Sequence, residues 1–128
     1  MSMTERVGHL ASISLDCPDP DLLAAFYTRL LGLEEAFATP DRAVIALAGA
    51  GPMLTLMRVD GHVPPAWPGG PQQQQMHLDV AVEELENSTK SAVALGAALA
   101  EHQPAPGQWR VLTDPAGHPF CLTAVRPD

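Results

Sequence analysis

In the stretch "QMHLDVAV", Gln75 to Val82, His77 and Asp79 alternate with Leu78, Val80 and Val82. That period of two describes a strand with one polar and one apolar face. An imidazole and a carboxylate two residues apart on such a face are metal-ligand types, or a general base beside an orienting acid. They are equally a hydrogen-bonded polar pair lining a pocket, with Asp79 or Asp16 as the partner of His77 and no chemistry. Cys121 alternates with Leu122 late in the chain, and a thiol joining His77 and Asp79 would bias a site toward zinc. With His77 as a basic neighbour it could instead be a reactive Cys–His pair. Ser12, Ser14 and Asp16 form a second polar row, alternating with Ile13, Leu15 and Cys17.

Composition narrows the partners. The chain has 128 residues, 46% of them apolar, enough for a packed core. Fifteen acidic residues against seven basic ones leave a formal charge of −8, the wrong sign for gripping phosphates, so nucleic acid is excluded as a partner. No run approaches the roughly 20 apolar residues that span a bilayer, which argues against a membrane partner. The start "MSMTERVGHL" has no secretory apolar core, and Cys17 and Cys121 make no disulfide framework. The expected setting is therefore a reducing cytoplasm. No phosphate-cradling glycine loop, nucleophile elbow or CxxC pair is present.

The elements that must position these residues repeat. After the first alternating strand, "CPDPD" breaks the pattern; Asp19 is a candidate N-cap with Pro20 at the first helical position. Leu22, Leu23, Phe26, Tyr27, Leu30 and Leu31 recur at helical spacing until Gly32 ends the helix. Strands are expected at about 34–38, 42–48 and 53–59, with Gly-Ala-Gly-Pro at 49–52 as a hairpin turn. Residues 60–74 hold four prolines and three glycines and read as a loop. From His77 the order strand, turn, helix, glycine returns, followed by strands at about 98–102, 108–113 and 119–125. Superposed, Ser12 matches His77, Ser14 matches Asp79, and Gly32 matches Gly96 after one gap. The chain reads as two β-α-β-β-β units that share one structure, because each alone buries its sheet poorly.

The segments "DPDLLAAFYTRLLGLE", "HLDVAVEELE…ALGA" and "LTDPAGHPFCL" resemble the vicinal oxygen chelate superfamily: glyoxalase I, extradiol dioxygenases, methylmalonyl-CoA epimerase, fosfomycin-modifying enzymes and bleomycin-binding proteins. The chain looks most like the glyoxalase-like domain branch, where a loop containing Trp-Pro precedes a His-Leu-Asp strand. The resemblance covers nearly all residues and implies an α+β fold of two βαβββ modules curled into a half-open, eight-stranded cleft. It implies one glyoxalase-like domain over 1–128, with module one about 7–59, loop 60–74 and module two about 75–125, and assembly as a homodimer. In metal-dependent relatives each module supplies one ligand from its first strand and one from its last. Carried over position by position, these fall on Ser12, Thr55, His77 and Cys121. Two neutral hydroxyls, and a cysteine where glutamate is usual, are a poor set for a divalent transition metal.

The expectation is therefore a glyoxalase-like small-molecule-binding protein without the family metal site, sequestering a drug-like or secondary metabolite. The alternatives are a metal-dependent lyase, isomerase or dioxygenase using His77, Asp79 and Cys121, with zinc, nickel, iron or manganese, and metal-free acid–base catalysis by His77. The expected ligand-binding residues are Ser12, Ser14, Asp16, Thr55, Trp67, His77, Asp79, Trp109 and Cys121. Trp67 sits in the loop that would shape specificity, and Trp109 begins a late strand. Of the other histidines, His118 reads as part of an Asp114-Pro-Ala-Gly117 turn, and His9, His62 and His102 have no spacing that suggests a site.

Overall fold

A computed structural model of the chain describes residue 6 and residues 8–124. Strand β1 (Ser12–Cys17) leads into helix α1 (Pro20–Leu31), then β2 (Glu34–Ala38), β3 (Val44–Ala48) and β4 (Met53–Arg58). The second unit repeats the order as β5 (Leu78–Ala81), α2 (Leu85–Leu95), β6 (Ala98–Leu99), β7 (Trp109–Thr113) and β8 (Pro119–Thr123). The eight strands form two four-stranded sheets with the same topology, β1-β4-β3-β2 and β5-β8-β7-β6. In each, the first strand runs parallel to the last, and the helical crossover makes that pairing possible.

The local signals act as the sequence suggests. Asp19 accepts a hydrogen bond from the Leu22 N–H, Pro20 opens the helix, and Gly32 closes it at φ 67°. Two strands are shorter than the alternation predicts. Strand β3 begins at Val44 and not at 42, because Arg42 has a left-handed backbone (φ 56°) and its guanidinium bridges Asp21 and Glu35, both at 2.8 Å. Strand β6 stops at Leu99 instead of 102. There the Gln103 amide replaces the ladder: its Nε2 donates to Ala100 and Val111 carbonyls, and its Oε1 accepts from Val111 N–H.

One apolar core runs through both units. Leu23, Phe26 and Tyr27 of α1 pack with Ile45, Leu47, Leu54 and Leu56 of the first sheet and with Leu112, Phe120 and Leu122 of the second. Phe26 and Phe120 meet edge to face at 5.9 Å across the units. Beside them the buried Tyr27 hydroxyl donates to the Asp114 carboxylate at 2.6 Å. The same carboxylate caps its own turn, accepting from Ala116 and His118 N–H groups at 2.9 and 3.0 Å. Asp114 therefore ties α1 to the turn that launches β8, the strand carrying Cys121. Gly117 supplies φ 91° in that turn.

Candidate functional site

The polar face of the second sheet is built by register. Asp79 on β5 stands opposite Cys121 on β8, which stands opposite Val111 on β7. One row on, Ala81, Thr123 and Trp109 align in the same way. These two rows, with His77 and Pro119 at one end, floor a cleft of about 840 Å³. Trp67 and Gln74 from the proline-rich loop wall it. Trp67 is half-buried, its ring 5.5 Å from that of His102.

At the floor, His77 Nε2 lies 3.2 Å from Asp79 Oδ1, and the two side chains are 38% and 61% exposed. When Nε2 carries the proton it donates to Asp79 and leaves Nδ1 as the basic nitrogen. Cys121 is half-buried beside them. Burial first, and then the charge of Asp79 and a hydrogen bond to it, push the thiol up to about 11. A thiol so raised is a protonated donor toward Asp79, which argues against Cys121 as a ready thiolate paired with His77. Cys17, the other free cysteine, is fully buried in the core.

Of the nine residues expected to meet a ligand, five line this cleft: Trp67, His77, Asp79, Trp109 and Cys121. The four from module one lie elsewhere. Ser12 and Thr55 hydroxyls bond one another at 2.5 Å on the β1–β4 pair. Ser14 and Asp16 line a separate hollow of about 500 Å³ under the loop, with His62 and His118. His118 Nε2 lies 2.6 Å from the Asp16 carbonyl and its ring 5.3 Å from that of His62, so two histidines without a sequence relation meet in space. Gln74, Gln108, Val111 and Thr123 were not expected at the site. The parity of β7 and β8 could have placed Val111 and Thr123 beside Cys121, but no pattern marks a loop glutamine. Gln74 Oε1 is buried and, among the described residues, has no hydrogen-bond partner.

Of the family ligand positions, Ser12 and Thr55 are neutral hydroxyls that hydrogen-bond each other, a poor pair of donors for a divalent transition metal. The three donors His77, Asp79 and Cys121 do converge, all within 4.8 Å of one another. Tetrahedral zinc holds its ligand atoms about 3.3–3.8 Å apart, as bond lengths of 2.0–2.3 Å require, so the set needs only a modest inward movement.

The family model described as a glyoxalase-like domain matches residues 12–123. No match is found among curated proteins. Among solved structures, the chain is similar to the fosfomycin resistance protein FosX of Listeria monocytogenes, in a mutant complexed with Mn(II) and 1S,2S-dihydroxypropylphosphonic acid. There the identity is 19%, covering 95% of this chain and 93% of that one, with a TM-score of 0.71. A glyoxalase/bleomycin resistance protein/dioxygenase family enzyme from Burkholderia phytofirmans PsJN is 16% identical, covering 90% and 97%, with a TM-score of 0.68. A glyoxalase-related enzyme from Fulvimarina pelagi is 21% identical over 91% and 88%, with a TM-score of 0.66. At these identities the likeness concerns the fold.

Proposed function

Because the chain belongs to the glyoxalase-like family of the vicinal oxygen chelate superfamily, we propose that it binds a small molecule in the cleft on the β5–β8–β7 face and holds it unchanged. Sequestration of a drug-like or secondary metabolite, without the family metal site, is the concrete form of this reading. The observation that carries it is the cleft itself: two indole rings and a neutral thiol around one carboxylate, in a space of about 840 Å³ that suits a drug-sized ligand. The chain pairs with a second copy in this proposal. Exposed Phe37 (58%) and Leu99 (50%) on the outer strands β2 and β6 support that pairing, which sedimentation equilibrium would test.

The test is a compound screen in the presence of a chelator. It reads tryptophan fluorescence and melting temperature, with mass spectrometry of the recovered compound. Binding near one per cleft, a raised melting temperature and an unchanged compound are expected. A second reading, a metal-dependent lyase, isomerase or dioxygenase, is favoured by the convergence of His77, Asp79 and Cys121. Stoichiometric zinc, nickel, iron or manganese that survives dialysis and is lost in His77→Ala would establish it and sink the first. Turnover that persists in chelator but vanishes in His77→Ala would point instead to that histidine as a metal-free base.

A further inference from the structure

Accepting that the β5–β8–β7 cleft is the ligand site, its chemistry also specifies the charge of the occupant. Among the described residues that line it there is no lysine or arginine, and Asp79 is the one carboxylate. The partner of Asp79, His77, offers a compensating charge only when protonated. Cys121, beside Asp79 in the same row, brings no positive charge. An anion, such as the phosphonate named for FosX, would meet a carboxylate here with no lysine or arginine to hold it.

The remaining lining points the same way. Trp67 and Trp109 line the cleft, and indole rings attract a cation over their faces and stack on a flat ring. The formal charge of −8 raises the local concentration of cations around the whole molecule. We propose that the cleft takes a flat aromatic cation, an amidinium or protonated amine on a ring system. Its N–H groups face Asp79, and its ring lies against an indole.

Three probes of one shape separate the charge from the ring: 2-naphthamidine, naphthalene-2-carboxamide and 2-naphthoate, titrated calorimetrically at low salt into the full chain. The amidine should bind about tenfold tighter than the carboxamide, and the naphthoate weakest. Asp79→Asn should erase the advantage of the amidine over the carboxamide. Added salt should reduce the amidine advantage in the parent protein, a readout that needs no variant. Naphthoate binding as tightly as the amidine, yet lost in Trp109→Ala, would overturn the charge assignment while leaving the cleft as the ligand site. Binding indifferent to Trp109→Ala, or no binding of any probe, would overturn both.

Discussion

The protonation state of Cys121 is the point on which the site's chemistry turns, and alkylation rate reads it directly. Burial and Asp79 place the thiol at about 11, against an ordinary 9.0. At pH 8 a group at 11 is ionised in about one molecule per thousand, and one at 9 in about one per ten. The thiolate is the reactive form, so native Cys121 should react with iodoacetamide about 100-fold more slowly than a free thiol of ordinary acidity. Cys17 is raised to the same value and is fully buried, so it should stay unmodified; mass spectrometry of the two peptides keeps them apart. Asp79→Asn removes the second and third causes of the shift but not burial, the first. That variant should speed the reaction severalfold and well short of 100-fold. The assay needs metal-free protein, prepared with chelator and dialysed. If parent Cys121 then reacts as fast as a free thiol, burial and Asp79 do not raise it, and the assignment of a protonated thiol donating to Asp79 fails.

Other elements give sharper stability tests. Tyr27→Phe removes a buried 2.6 Å hydrogen bond to a carboxylate and should cost about 1.5–3 kcal/mol in urea unfolding. A Cβ on Gly117 would sit 2.5 Å from Pro64 Cβ at φ 91°, so Gly117→Ala should destabilise by about 1–3 kcal/mol and speed proteolysis of loop 60–74. Cys17 and Cys121 both have folded values raised from 9.0 to about 11. Their contribution is therefore fully present below pH 9 and lost as pH rises toward 11, and the urea midpoint should fall across that window. Cys17→Ala should flatten the fall.

Much of the fold could be read from local chemistry, because the deciding interactions are local. Asp19, Pro20 and Gly32 bound α1 through a cap, a fixed φ and a left-handed backbone, each set by a single residue type. The end of β6 was not legible, since a side-chain amide four residues beyond it takes over the strand's hydrogen bonds. For the candidate site, the repeat matched Ser14 with Asp79 and gave Thr55 and Cys121 as corresponding last-strand positions; the strand register pairs Ser14 with Thr55 and Asp79 with Cys121. Which row meets which hollow was not legible. The loop at 60–74 decides it, lying over Ser14 and Asp16 on one side and offering Trp67 and Gln74 to the other. A segment of prolines, glycines and glutamines has no periodicity from which that course could be inferred.

The two modules share a backbone plan and differ in what their polar rows leave unsatisfied. In module one the hydroxyls of Ser12 and Thr55 are each other's partners, and both residues are half-buried. In module two the equivalent positions hold an imidazole, a carboxylate and a thiol. The carboxylate accepts a hydrogen bond from the thiol and lies 3.2 Å from the imidazole, and its side chain stays 61% exposed. A charged acceptor with spare lone pairs is costly to cover with anything but a donor. The selectivity of the proposed cleft therefore lies in the row where the repeat diverges: Asp79 puts a carboxylate opposite Cys121, where module one has the neutral Ser14 opposite Thr55.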